Sequence, residues 1–220
     1  MFKYNLHQEV ETNDKGRDFI VGDLHGCYDA LITQMKFVNF NQQIDRLFSV
    51  GDLVDRGTQN IECLSLLNKP WFYAVMGNHD EFFWQGVLED YRINLWVANG
   101  GGWAADIDMC TLSGYAEKVK NLPLAITIDN KIGICHAEPG IAYKHNNSWK
   151  QYVMDPTTQQ NKMWGRYAVT NSVKAEYTDI IRSYHGHTPL KIVKDLGQAR
   201  FIDTGACFGY HLTLEEIDYT

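Results

Sequence analysis

Gly51-Asp52-Leu53-Val54-Asp55-Arg56-Gly57 follows the apolar run Leu47-Phe48-Ser49-Val50. The same arrangement occurs on either side of it. Phe19-Ile20-Val21 leads into Gly22-Asp23-Leu24-His25-Gly26, and Phe72-Tyr73-Ala74-Val75 leads toward Gly77-Asn78-His79-Asp80. Each is a Gly-bounded cluster of metal-ligand side chains behind a short strand-like run. A strand that ends in a tight turn and feeds a helix places its last side chains at the carboxyl edge of a sheet, where α/β folds bind ligands. Three such edges carrying Asp, Asn and His predict one shared metal site.

Helical patterns follow each turn. Leu31, Ile32, Met35 and Val38 share one face after the first, Ile61, Cys63, Leu64 and Leu67 do so after the second, and residues 81–88 are rich in aromatics after the third. Strand–turn–helix units in series predict an α/β core. Asn99-Gly100-Gly101-Gly102-Trp103 reads as a flexible break, and residues 111–121 as a helix closed by Pro123. Beyond it, strands are expected over 124–128, 131–135, 180–184, 199–202 and 210–217. Residues 142–161 are expected to form a surface excursion, a lid or substrate loop. No repeat or low-complexity linker divides the 220 residues, which predicts one domain over 1–220.

Lys and Arg number 20 against 27 Asp and Glu, a net charge of −7, which argues against a nucleic-acid partner. An anionic substrate would need a local positive site. Cys27, Cys63, Cys110, Cys135 and Cys207 are scattered without a CxxC pair, the pattern of reduced thiols in a cytoplasmic protein. The N-terminus has no apolar h-region and no run is long enough to span a bilayer, so no membrane partner is expected. The oligomeric state is left open between monomer and weak dimer.

Two later histidines complete the constellation. His136 follows Ile132-Gly133-Ile134-Cys135, and His187 lies in Gly186-His187-Thr188-Pro189. The candidate ligands are therefore Asp23, His25, Asp52, Asn78, His136 and His187. Two divalent ions about 3.5–4 Å apart, sharing one carboxylate, use all six. Asp23 and His25 are two residues apart and point to one side of an extended chain; Asp52, central in sequence, is the natural bridge. Two such ions outweigh two carboxylates and a bridging hydroxide, and Arg56 and Arg166 add to an anion trap in an acidic chain. A set without thiolate suits manganese, iron or zinc and singles out none of them. His79 adjoins a ligand and is positioned to protonate a leaving oxygen. Asp55 can orient that imidazole.

These motifs resemble the metallophosphoesterase signature of the phosphoprotein phosphatase family: Gly-Asp-x-His-Gly, Gly-Asp-x-x-Asp-Arg-Gly and Gly-Asn-His-Asp, then two isolated histidines. The resemblance is to its bacteriophage lambda-type and bacterial serine/threonine members. It extends over the chain through Asn99-Gly100-Gly101-Gly102-Trp103, Gly186-His187-Thr188-Pro189 and Ile202-Asp203-Thr204-Gly205-Ala206. It implies a calcineurin-like four-layer α-β-β-α sandwich with two mixed sheets. Asp23, His25 and Asp52 would hold one metal, and Asp52, Asn78, His136 and His187 the other. His79 would be the general acid with Asp55 as partner, while Arg56, Arg166 and Asn78 would bind the phosphate. The implied reaction is direct attack of a dimetal-bridging hydroxide on a phosphomonoester. Implied partners are phosphoserine and phosphothreonine proteins or peptides, with phosphotyrosine, phosphohistidine and small aryl phosphates also admitted.

Four positions depart from the family pattern. Asp80 stands for Glu, Met76 for an Arg, His185 for an apolar or aromatic residue, and Glu138 for Gly or Asp. Loss of the Arg at Met76 would remove a cation near the site. One alternative function is a symmetrical dinucleotide polyphosphate hydrolase acting on diadenosine tetraphosphate, which shares Gly-Asp-x-His-Gly and the last two histidines. Asp55-Arg56-Gly57 and the short chain favour the protein phosphatase. A second alternative, a metal-binding scaffold without catalysis, would be expected to have lost His79 or a ligand. Among neighbouring residues, His185 and Cys135 are expected to face the core, Cys27 to pack, and His145 and His211 to lie at the surface. Trp84, Trp96 and Trp103 read as helix packing.

Overall fold

The computed structural model describes residues 2–138, 140 and 147–220. Its elements run β1 (Gln8–Val10), β2 (Asp18–Val21), α1 (Tyr28–Phe37), β3 (Arg46–Ser49), α2 (Asn60–Ser65), β4 (Phe72–Ala74), α3 (Asn78–Glu89), α4 (Ile93–Ala98) and α5 (Met109–Lys120). They continue with β5 (Ala125–Ile128), β6 (Ile132–Cys135), α6 (Trp149–Met154), α7 (Gln159–Trp164), α8 (Tyr167–Asn171), β7 (Arg182–His185), β8 (Lys194–Leu196), β9 (Ala199–Phe201) and β10 (Leu214–Glu216).

The strands form two mixed sheets. One has the order β1-β5-β6-β7-β9-β8 and the other β10-β2-β3-β4. Side-chain alternation along the strands then sorts the chain into four layers. Ile20, Phe48, Val50 and Val75 of the smaller sheet meet Ile126, Ile128, Ile132, Ile134 and Tyr184 of the larger one. Phe19, Val21, Leu47, Phe72 and Ala74 face the other way, onto Leu31, Leu64, Phe82, Phe83, Leu112 and Ala116 of the surrounding helices. On the far side of the larger sheet, Ala125 and Cys135 pack on Trp149, Tyr152 and Val153, and Ala199 and Phe201 on Ala168 and Val169. Each such apolar side chain contributes about 1.5–3 kcal/mol when taken fully from water, so the inter-sheet faces hold the sandwich closed. The four-layer α-β-β-α arrangement expected from the resemblance is the one observed.

Several local expectations change. Residues 149–164 are not a surface excursion. They form α6, a 3-10 turn and α7, and Trp149, Tyr152 and Val153 are buried against the sheet. Polar composition concealed the few apolar residues that dock this segment. The remainder of the expected loop, and His145, lie outside the described residues. The strand expected over 210–217 is confined to β10, because Thr204 ties the preceding segment through His211 and Thr213. β1 and β8 were not expected, since two of the three residues in each are polar. Residues 99–103 are structured as well: Gly100 turns the chain with φ 114°, and a 3-10 helix spans Gly101–Asp106.

The topology decides where function can sit. β2, β3 and β4 run parallel, as do β6 and β7. Their carboxyl ends lead to Asp23, Asp52, Asn78, His136 and His187.

Candidate active site

Asp52 is the centre of the arrangement. Its Oδ1 accepts the His79 backbone N–H at 2.9 Å, at the start of α3. Its Oδ2 is left facing two imidazoles, 3.5 Å from His25 Nε2 and 3.4 Å from His136 Nε2. Gly77 makes this approach possible: a Cβ there would lie 2.1 Å from Asp52 Oδ1. Donor atoms of His25, Asp52 and His79 lie within 4.8 Å of one another, and so do those of Asp52, His136 and His187. Asp52 belongs to both groups, the position a bridging ligand requires.

The ring nitrogens are already assigned for ligation. His25 Nδ1 donates to the Val54 carbonyl at 2.8 Å and His136 Nδ1 to the Val50 carbonyl at 2.7 Å. Each backbone contact fixes the tautomer and leaves the Nε2 lone pair aimed inward. Asn78 Oδ1 lies 3.1 Å from His136 Nε2. Arg56 Nη1 lies 2.7 Å from His25 Nε2, and Arg166 Nε donates to His187 Nε2 at 3.0 Å. The ring nitrogens of His25 and His187 therefore face guanidinium groups, whereas His136 Nε2 faces the oxygens of Asn78 and Asp52.

Burial and like charge make the same case for bound cations. All six candidate ligands are buried, none more than 6% exposed. Burial, with Asp203 and Asp52 close by, pushes the Asp23 carboxyl well above its usual range. Burial lowers His25 and His187 to about 3, keeping both neutral and able to donate a lone pair. Burial opposes ionisation of Asp52 too, but His136 and His79 outweigh it and hold the carboxyl low. Buried carboxylates converging beside imidazoles and an amide oxygen fit a divalent metal pair.

The turns that carry these residues are strained. His25, Asp52, Asp55, Arg56 and His187 have φ of 42°, 52°, 76°, 70° and 68°. Non-glycine residues reach this region at a cost of about 1–3 kcal/mol each. Asp23 and His25 consequently do not alternate as in an extended strand. The chain has left β2 before it reaches them, and Asp23 instead accepts the His187 N–H at 3.0 Å.

The candidate acid His79 and its expected partner Asp55 meet beside this centre. His79 Nδ1 donates to Asp55 Oδ2 at 2.8 Å, with both side chains buried. The His79 ring meets that of His25 edge-on, with centroids 4.7 Å apart. Arg56 and Arg166 are exposed at the rim, one beside each half of the centre. Phe208 lies under the Arg56 guanidinium, 5.4 Å from it.

A family model for calcineurin-like phosphoesterases matches residues 19–209. The chain belongs to the calcineurin-like phosphoesterase family. Serine/threonine-protein phosphatase 1 of Salmonella typhimurium is 31% identical to it over 220 residues, 96% of this chain and 97% of that one. A symmetrical bis(5'-nucleosyl)-tetraphosphatase of Actinobacillus pleuropneumoniae is 48% identical over 64 residues, 28% of this chain and 24% of that one. Among solved structures, one described as a candidate diadenosine tetraphosphatase superposes with a TM-score of 0.67 at 22% identity, covering 95% of this chain and 93% of that one. This phosphoesterase is a hydrolase of a phosphatase family, and its His and Asp groups are of the kind that hold the family's dinuclear metal centre.

The departures from the family pattern now have places in this phosphoesterase. Asp80 is completely buried, accepting the N–H groups of Asp52 (2.8 Å), Gly77 (2.9 Å) and Leu53 (2.9 Å). It clamps the Asp52 turn to the start of α3. Met76 lies in the helix-side core rather than at the anion site. His185 is buried, 2.7 Å from Ser183 Oγ, and packs on Phe201. Glu138 accepts the Tyr167 and Ala168 N–H groups at 2.8 and 3.0 Å. It thereby fixes the start of α8, next to Arg166.

Three site residues escaped the sequence reading. Asp203, buried at the end of β9, raises the local negative charge beside Asp23. Trp96 and Trp103 are more than helix packing, since both indole N–H groups donate to Asp55. The Gly-rich segment before Trp103 was the available signal, but an aromatic's polar edge leaves no mark in a hydrophobic pattern. Trp84, by contrast, packs against Phe2 and Tyr4.

Proposed function

We propose that this phosphoesterase is a metal-dependent protein serine/threonine phosphatase that hydrolyses phosphomonoesters. The observation that carries the reading is Asp52 placed among His25 and His79 on one side and His136 and His187 on the other, with His79 held by Asp55 and two exposed arginines at the rim. A divalent pair at this site supplies Lewis acidity toward phosphoryl oxygens and lowers the pKa of water; manganese is the proposed metal. Asp23, His25 and Asp52 would hold one ion, and Asp52, Asn78, His136 and His187 the other.

Arg56 and Arg166 approach the substrate from opposite sides and bind the phosphate oxygens, which places phosphorus over Asp52. Asn78 adds an amide contact. His79, held through Nδ1 by Asp55, presents Nε2 to the leaving oxygen and delivers the proton there. Because the arginines are exposed, the site admits a phosphorylated side chain of a protein or peptide, and small aryl phosphates as well. Likeness to the Salmonella phosphatase along nearly the full length of both chains supports the protein substrate.

The second reading is symmetrical hydrolysis of diadenosine tetraphosphate. The 64-residue likeness to a bacterial tetraphosphatase favours it. Metal-stripped protein supplied with manganese and offered a phosphoserine peptide and diadenosine tetraphosphate separates the two. Manganese-dependent phosphate release from the peptide is expected. Cleavage of the dinucleotide alone would refute the protein-phosphatase reading.

A further inference from the structure

Asp55 has no exposed surface, and no Lys or Arg among the described residues forms an ion pair with it. Three side-chain N–H donors surround it instead. His79 Nδ1 reaches Oδ2 at 2.8 Å, and Trp103 Nε1 reaches Oδ1 at 2.8 Å. Trp96 Nε1 straddles the carboxylate, 3.0 Å from Oδ1 and 3.1 Å from Oδ2. These donors come from α3, α4 and the 3-10 helix Gly101–Asp106, so the carboxylate is held from three directions.

The two indoles are built for this contact. They meet edge-on, with centroids 6.4 Å apart, and Phe83 packs against both. Gly101 opens the space at the edge of Trp96, because a Cβ there would lie 2.3 Å from Nε1. Packing alone would not require both N–H groups to converge on one carboxylate. An indole N–H only donates and does not exchange its proton with a carboxylate. The pair can therefore fix the rotation of Asp55 about Cβ–Cγ without competing as an acid or base. Trp103 holds Oδ1 and Trp96 bridges both oxygens, so the carboxylate cannot turn and Oδ2 stays against the His79 ring.

We propose that Trp96 and Trp103 are positioning residues for proton delivery: they lock Asp55 so that His79 Nε2 stays aimed at the leaving oxygen. This rests on the reading of His79 as the general acid. It adds two residues, acting through Asp55, whose removal has a specific kinetic signature. Proton delivery matters most for a basic leaving group and little for one that departs readily as an anion.

The test replaces Trp96 and Trp103 singly by Phe and by benzothienylalanine, which keeps the ring shape and puts sulfur in place of N–H. Manganese-loaded variants are assayed with phenyl phosphate and 2,4-dinitrophenyl phosphate, alongside His79→Asn. For both kinds of replacement, kcat for phenyl phosphate should fall about tenfold further than kcat for the dinitrophenyl ester, a fraction of the effect of losing the acid itself. Metal content and the ratio of the two KM values should stay at wild-type levels. Equal losses on both substrates, or none, in the folded isosteres would overturn the proposal. If His79→Asn discriminates between the esters and the isosteres do not, the acid assignment stands and the tryptophan role falls. If His79→Asn does not discriminate, the acid assignment falls and this role with it.

Discussion

Asp80→Asn tests whether the Asp52 turn is held by charge-assisted hydrogen bonds. The Asp80 carboxylate accepts three backbone N–H groups, two on Oδ2 and one on Oδ1. An asparagine of the same shape can keep its oxygen on the Asp52 and Gly77 side. Its NH₂ then faces the Leu53 N–H, donor against donor. One orphaned buried donor costs about 1–3 kcal/mol, and turning two charged hydrogen bonds into neutral ones costs about 1 kcal/mol each. The expected total is about 3–5 kcal/mol, or about 6–20 °C in Tm for a chain of this length. An opposing effect is present as well. Asp80 and Asp52 are both buried, and their repulsion helps to raise Asp80 to about 7. Removing one charge relieves that repulsion in metal-free protein. With a divalent pair on Asp52 there is little repulsion left to relieve. Urea unfolding of wild type and variant, metal-stripped and at fixed free manganese, should therefore give the full loss only with metal. Metal affinity measured by titration separates any linkage contribution. Equal losses in the two states, or none with metal, would refute the reasoning.

Two further outcomes follow from buried charges elsewhere. Glu138→Gln should orphan one of the Tyr167 and Ala168 amides, destabilise the protein by about 1–3 kcal/mol and loosen Arg166. In a steady-state assay, KM for a phosphorylated peptide should rise by up to about tenfold, the equivalent of ~1.4 kcal/mol, with a smaller change in kcat; an unchanged KM would count against the link to Arg166. Lys162 is buried, donating to the Val153 and Asp155 carbonyls, and burial pushes its ammonium below the ordinary lysine range. Between that lowered pKa and the unfolded value of 10.5 the unfolded chain binds more protons, so this residue's contribution to stability rises with pH. Stability of wild type minus that of Lys162→Met, measured by urea unfolding, should climb across that window, and a flat or falling difference would contradict the assignment.

What could be read from sequence was whatever repeats in a pattern. β2, β3 and β4 each end in a Gly-bounded cluster of candidate ligands, so the sheet edge and the residues gathered at it were legible together. His136 and His187 followed from the same rule. Short elements of largely polar composition were not legible. α6 docks through Trp149, Tyr152 and Val153 within a polar stretch, and β1 is three residues that pair with β5. Polar contacts between distant residues were hidden for a different reason. The hydrogen bond from Trp103 to Asp55 spans 48 residues and that from Tyr167 to Glu138 spans 29. Neither has a local signature, because the tertiary fold alone brings the partners together.

The four departures from the family pattern also bear on substrate choice. Met76 is in the helix-side core and His185 in the core beneath the larger sheet, so neither meets a substrate. Asp80 and Glu138 are buried as well and spend their oxygens on backbone N–H groups. None of the four replaces a ligand, and the ligands themselves cannot separate a phosphoprotein from a dinucleotide, since both readings use the same centre. A side chain discriminates only where it reaches the leaving group, beyond the phosphate. In this chain that zone holds Arg56 over Phe208 and Arg166 between Trp164 and Tyr167, all exposed. On either proposed reading, Arg56 and Arg166 grip the phosphate common to both substrates. The neighbouring aromatic rings are what each leaving group meets differently, so exchanging those rings should change the ratio of peptide to dinucleotide turnover while the metal content stays fixed.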